Sequence, residues 1–167
     1  MHDLETVLLD LAKVSYIFVF RIIINKTKPL IKVKKIDIFK KLRSSGLRPT
    51  KQRVEIAKFL FERDKTFHFT IESLDKLLAK KTSSKFALAT IYNTVHAFKE
   101  AGHLSEVEVR GNKTYFDTNV SNHHHFYDCE TSELIDIDAN EIVIHKIPKA
   151  PNGKKIKNVE VFINLKN

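Results

Sequence analysis

The chain has 167 residues, 43% of them hydrophobic and 29% charged, with a formal net charge of +9. That length suits one sizeable domain or two small ones, and the composition excludes a disordered chain. The positive charge points to a polyanionic partner, either nucleic acid or an anionic membrane surface. The single cysteine, Cys129, excludes an internal disulfide framework and any multi-cysteine zinc site. A cytoplasmic, reducing compartment is the expectation.

Residues 1–35 differ from the rest. Val14 to Ile24 is almost wholly apolar, with Arg21 interrupting it. Roughly twenty apolar residues are needed to span a bilayer, and this run is about half as long. The opening His2-Asp3-Leu4-Glu5 lacks the basic start of a secretory signal, and no small-residue cleavage site follows. We therefore read this stretch as an accessory element packed on the domain, or as an extension outside the working protein. Lys26 to Lys35 reads as a basic linker, and no membrane partner is expected.

From Ile36 onward the pattern is helical. Ile36, Phe39 and Leu42 follow helical spacing, and Gly46 ends that helix. Thr50, just after Pro49, is a natural N-cap for the next helix. Val54, Ala57, Leu60 and Phe61 form its apolar stripe. Lys51, Gln52 and Arg53 fall in its first turn and are expected to face outward, toward phosphates. His68-Phe69-Thr70 opens a third helix, with Ile71, Leu74, Leu77 and Leu78 apolar. In the fourth helix Leu88, Ile91, Val95 and Phe98 share one face, and Gly102 supplies the stop. Thr90, Tyr92, Asn93 and His96 lie off that face, where polar groups can read base edges or contact phosphates. Two alternating runs then flank Gly111-Asn112, a hairpin-turn signal. Helices followed by a β-hairpin are the order of a winged helix-turn-helix.

These residues resemble the ferric uptake regulator superfamily of dimeric, metal-sensing transcription factors. Gly46-Leu-Arg-Pro-Thr-Lys-Gln-Arg53 is similar to the opening of its DNA-binding domain. Leu88-Ala-Thr-Ile-Tyr-Asn-Thr-Val95, with Glu100-Ala-Gly102, is similar to its recognition helix. Tyr92-Asn93-Thr94, Lys113 to Asn119, His123-His-His-Phe126 and Glu133-Leu-Ile-Asp136 resemble the iron response regulator branch in particular. The likeness runs from about Ile36 to the C-terminus. It implies an α+β fold: a winged helix-turn-helix over residues 36–118, then a small α/β dimerisation and sensing domain over 119–167. It also implies a homodimer on double-stranded operator DNA that controls iron uptake and haem synthesis genes.

The run His123-His124-His125 carries the sensing chemistry. On a strand, side chains alternate faces, so His123 and His125 point one way and His124 the other. A turn near Glu130-Thr131 sets Asp136, in a strand from Glu133 to Ile137, about opposite His125. Asp117 arrives from the end of the hairpin, and His68 sits at the start of the third helix. Imidazoles with carboxylates make a mixed nitrogen and oxygen site, suited to Fe(II), Mn(II) or Zn(II). The set His68, Asp117, His123, His125 and Asp136 matches the superfamily's regulatory site, for which the resemblance implies Fe(II) or Mn(II). The branch resemblance further implicates His123, His124 and His125 in haem contact, with imidazole as the axial ligand type.

The departures narrow the reading. Asp128 and Thr131 stand where many superfamily members carry the first cysteine pair of a four-cysteine structural zinc site, and that zinc is not expected here. The cysteine-proline haem motif of some iron response regulators is absent. Ala139 to Ile147 reads as a short helix, and Lys155 to Leu165 as an alternating final strand whose sheet edge could pair with a second subunit. Glu141 and His145 read as surface residues.

DNA contacts are expected from Lys51, Gln52, Arg53, Thr90, Tyr92, Asn93 and Lys113. The alternative within the same superfamily is an Fe(II)- or Mn(II)-dependent metal or peroxide sensor. A mononuclear metalloenzyme is the remote alternative. No GxGxxG loop, P-loop or HExxH run supports catalysis, and no enzyme activity is expected.

Overall fold

The computed structural model describes residues 36–109 and 113–166. The apolar run at 14–24, the basic linker and the Gly111-Asn112 turn lie outside the described residues. Among the described residues, no helix is long and apolar enough to cross a membrane.

Among the described residues, four helices and one short strand precede the hairpin. Helix α1 (Ile38–Ser44) begins where the Asp37 carboxylate accepts from the Lys40 amide, one of the donors a helix start leaves unpaired. This cap fixes the register: Ile38 and Leu42 are buried, while Ile36 and Phe39 are exposed. The expected spacing holds for Leu42 but not for the other two: Ile36 precedes the helix, and Phe39 lies off the buried stripe that Ile38 and Leu42 form four residues apart. Helix α2 (Lys51–Phe61) is capped by the Thr50 hydroxyl, as expected. Strand β1 (His68–Phe69) precedes helix α3 (Ile71–Lys81), which opens on a reciprocal Thr70–Ser73 capping box. Helix α4 (Leu88–Glu100) buries Ile91, Thr94, Val95 and Phe98. Leu88 does not join that face. It lies in the first turn, 53% exposed, where the helix projects beyond the core.

Strands β2 (Ser105–Val109) and β3 (Lys113–Asp117) form the antiparallel hairpin, and β1 pairs with the far side of β3, giving the order β1-β3-β2. Because strand side chains alternate, β3 serves two cores. Phe116 faces the helices and packs in one cluster with Leu60, Phe69, Leu78 and Phe98. Tyr115 turns the other way and joins Val107, Val109 and Leu134, against Tyr127 and Phe162. The hairpin is thus an apolar layer between the helices and a second sheet.

That second sheet has the order β5-β4-β6. Strand β4 (His123–Asp128) runs antiparallel to β5 (Glu133–Asp138) and parallel to β6 (Phe162–Leu165). His125 stands opposite Asp136, the register expected. The C-terminal segment differs from expectation. Only Ala139–Glu141 is helical, a single 3-10 turn capped by Asp138. Ile142, Val143 and Ile144 are β-branched and Pro148 lies just beyond, which disfavours helix, and Ile142 is already extended. The final strand covers Phe162–Leu165 alone, short of the expected span from Lys155, since only this stretch reaches a partner strand.

Candidate metal centre

Five side chains converge where the two sheets meet. His68 lies on β1, Asp117 on β3, His123 and His125 on β4, and Asp136 on β5. The ladder explains the meeting. His68 is cross-strand from Asp117, as is Ser105, so the end of the hairpin sheet carries both side chains. On β4, His123 and His125 share a face, and Asp136 is directly opposite His125. One donor atom from each residue can be chosen such that all five lie within 4.8 Å of one another.

The distances define a common point. His68 Nε2 lies 2.8 Å from Asp136 Oδ1 and 3.4 Å from Asp117 Oδ2. His123 Nε2 lies 2.9 Å from Asp117 Oδ2 and 2.9 Å from His125 Nε2. Ligand bonds near 2.1 Å to one shared ion place donor atoms roughly 3 to 4.2 Å apart, close to this spread. His68 Nε2, Asp117 Oδ2 and Asp136 Oδ1 are buried without a hydrogen-bond partner. Buried polar atoms are otherwise almost always paired. Three orphans aimed at one point are what an ion would satisfy, and the donor set of imidazole nitrogens and carboxylate oxygens fits Fe(II), Mn(II) or Zn(II).

Electrostatics couple the group. Burial works against ionisation of Asp117, which is fully buried, yet the neighbouring His125 and His68 rings and the Asn119 amide outweigh it. The carboxyl is held well below the usual carboxylate range. Burial likewise disfavours a charged His125, but Asp117 and Glu160 outweigh it and push its pKa up to about 9. At 3.8 Å the His125–Asp117 contact is too long for a hydrogen bond and acts as charge attraction.

His124 stands on the other face of β4, as its place in the run implies, but it is not a surface group: it is 4% exposed. It borders a separate pocket of about 670 Å³ whose walls mix apolar side chains, among them Ile142, Ile144 and Ile147, with polar ones such as Asn122, Lys157 and Asn158. Its Nδ1 accepts from the Val161 amide at 3.4 Å. His145 and Glu141 are exposed and outside the cluster.

The residues expected to touch DNA are spread over α2, α4 and the hairpin. Lys51, Gln52, Tyr92, Asn93 and Lys113 are exposed, and Thr90 is half-buried. Arg53 differs from expectation. It folds back instead of facing outward, because its Nη1 donates to the Arg48 carbonyl at 2.8 Å and its Nε is buried. Lys113 Nζ donates to Ser132 Oγ at 3.0 Å across the sheet junction.

Two residues near the cluster escaped the sequence reading. Asn119 donates to both aspartates, and Glu160 accepts from His125. Asn119 carried a local signal, since an Asn two residues after an Asp invites a side-chain-to-backbone turn. Glu160 carried none, being 35 residues from its partner.

Residues 44–165 match the ferric uptake regulator family. The ferric uptake regulation protein of Rhizobium leguminosarum bv. viciae is 32% identical over 98 residues, covering 58% of this chain and 67% of that protein. The peroxide-responsive repressor PerR of Staphylococcus epidermidis is 30% identical over 95 residues, covering 57% of this chain and 61% of the repressor. The match thus spans a little under two thirds of that repressor's length. Among solved structures, the Vibrio cholerae ferric uptake regulator aligns with a TM-score of 0.61 at 20% identity, covering 78% of this chain and 100% of that one. The Pseudomonas aeruginosa regulator, solved with manganese, aligns with a TM-score of 0.58 at 24% identity, covering 79% and 98%. The structural likeness shows the α+β fold.

Proposed function

This chain belongs to the ferric uptake regulator family, and from that premise we propose that it is an iron-responsive regulator of the iron response regulator branch. It binds operator DNA as a homodimer in the cytoplasm and controls iron uptake and haem synthesis genes. At the coarser level the membership carries, it is a metal-responsive transcription regulator and not an enzyme. The observation behind the reading is the convergence of five donor atoms with three buried orphans among them.

His68, Asp117, His123, His125 and Asp136 would hold Fe(II) or Mn(II). The ion supplies a shared positive charge that offsets the two carboxylates. His68 and Asp117 belong to the hairpin sheet and the other three to β4 and β5. Holding all five together fixes the angle between residues 36–118 and 119–167, and so the spacing of two α4 helices in a dimer. Tyr92 and Asn93 lie exposed on α4 for base reading, while Lys51 and Lys113 reach phosphate. Ile135, Ile163 and Leu165, exposed on β5 and β6, offer apolar surface to a second subunit.

A second reading, haem contact through His124, is favoured by the burial of that ring beside a pocket of mixed polar and apolar lining on the opposite face of β4. One experiment separates the two: a gel-shift titration on an AT-rich operator with Mn(II), with haem, or with neither. A change in affinity with Mn(II), lost in His123→Ala, supports the metal reading. A response to haem alone, accompanied by a Soret shift that weakens in His124→Ala, supports the second. No preference for operator over random DNA under any condition overturns both.

A further inference from the structure

The five donor atoms share an orientation problem. Each carboxylate has two oxygens and each imidazole two nitrogens, so which of them faces inward must be set by other groups. Asn119 settles it for both aspartates. Its backbone N–H donates to Asp117 Oδ1 at 2.8 Å, and its side-chain Nδ2 donates to Asp136 Oδ2 at 2.8 Å. The oxygens left over, Asp117 Oδ2 and Asp136 Oδ1, are the buried orphans of the cluster. Asn119 is itself held: its Oδ1 accepts from the Ser121 amide at 3.1 Å and the Ser121 hydroxyl at 2.6 Å. It sits in the segment joining β3 to β4, so one residue spans the two sheets.

Glu160 settles the same problem for His125. Its Oε1 lies 3.0 Å from His125 Nδ1, which leaves Nε2 facing the cluster. The ring is further fixed by stacking on Phe162, with centroids 5.6 Å apart and planes 15° apart. Glu160 lies just before β6 in the chain, so the last strand of the sheet is tied to a ligand on its central strand.

We propose that Asn119 and Glu160 are positioning residues of the metal centre, dictating which atom of Asp117, Asp136 and His125 faces the ion. With one oxygen of each aspartate engaged by Asn119, both carboxylates bind through a single oxygen. The inference rests on the metal reading above and extends it to groups that do not touch the ion. Outer partners of this kind govern ligand orientation and tune affinity.

The test is a Co(II) titration of the full chain against a competing chelator, followed by the ligand-field absorption of the bound ion. Wild type is compared with Asn119→Ala, Glu160→Ala and Glu160→Gln. Asn119→Ala keeps the backbone donor to Asp117 and removes the one to Asp136, freeing that carboxylate to bind through both oxygens. We expect Asn119→Ala and Glu160→Ala each to lose about 10- to 100-fold in affinity and to change the Co(II) spectrum. Glu160→Gln, whose amide oxygen still accepts from Nδ1–H, should recover most of the loss. Variants that match wild type in affinity and spectrum, while wild type binds, overturn the proposal and leave the metal reading standing. So does a lowered melting temperature of the metal-free variant with unchanged affinity and spectrum, which marks a merely structural role. Failure of wild type to bind Co(II), Mn(II) or Fe(II) overturns the metal reading and this proposal with it.

Discussion

His68 Nε2 lies 2.8 Å from Asp136 Oδ1, although the two residues belong to different sheets, and neither atom has a hydrogen-bond partner. In the metal-free protein this contact joins the hairpin sheet to β5 without directional bonding. A shared ion would turn it into a bridge. Mn(II) at about 100 times its dissociation constant should raise stability by about 2.7 kcal/mol. For a chain of this size that corresponds to roughly 5–10 °C in melting temperature. His68→Ala should remove most of that gain, and should also lower the metal-free melt, because the ring helps keep the buried Asp117 carboxylate ionised. Circular-dichroism melts with Mn(II) and with a chelator read both effects. An equal rise in the variant would show that His68 is not a ligand.

The metal-free protein and the metal complex should respond to pH in opposite directions. Asp117 is depressed below its ordinary 3.8, so its contribution is present above that value and lost as pH falls through the folded pKa. His125 is raised from 6.5 to about 9, so its contribution is complete below 6.5 and lost as pH rises through about 9. From pH 3.8 to 6.5 these two groups should leave metal-free stability flat, and above 6.5 it should decline. Metal binding needs the neutral ring, so affinity should climb over that upper interval, with a proton released. Chelator-treated melts and Mn(II) titrations at about pH 6, 7 and 8, spanning the unfolded-state value of a histidine, give the two slopes. Parallel slopes would mean that His125 is not a ligand.

How far the sequence reached depended on the kind of signal. Strand alternation is rigid, so the split of the histidine run and the His125–Asp136 register followed from the period of two and one turn. Helix faces were legible where caps were, as at Thr50 and Thr70. They slipped where the cap was overlooked, as at Asp37, and at Leu88, where the pattern runs past the end of the core. The two-residue strand β1 was too short to show any period, yet it is what sets His68 opposite Asp117. Glu160 and the fold-back of Arg53 are tertiary facts, set by partners that no local pattern names.

The contrast between Phe98 and Leu88 is measurable. Both sit at apolar positions of the α4 pattern, but Phe98 is fully buried against Phe61 and Leu88 projects into solvent. Phe98→Ala should cost about 3–5 kcal/mol, the sum of lost transfer energy and the cavity left behind. Leu88→Ala should stay within about 0.5 kcal/mol of wild type. Urea unfolding of both variants gives the comparison. A similar large loss at Leu88 would mean that this face of α4 is covered in solution.

DNA binding should separate Lys51, Arg53 and Asn93 by the kind of contact each can make. Lys51 is exposed in the first turn of α2. A phosphate contact there contributes through counterion release, so Lys51→Ala should weaken operator and random DNA alike and reduce the salt slope by about one. Arg53 has one guanidinium nitrogen committed to the Arg48 carbonyl and its Nε buried. Its replacement by Ala should therefore lower stability through the Arg48–Pro49–Thr50 turn and change the salt slope less than Lys51→Ala. Asn93 is exposed on α4 beside Tyr92, whose ring centroid lies 4.2 Å from that of His96 with the planes tilted by 34°. A bidentate amide contact to a base is worth about 1–3 kcal/mol of discrimination. Asn93→Ala should lower operator affinity by that amount and leave random-DNA affinity unchanged. Fluorescence-anisotropy titrations between about 50 and 200 mM salt, on operator and random duplexes, resolve the three. Equal losses on both duplexes for Asn93→Ala would remove α4 from base reading and leave it a phosphate-contacting helix.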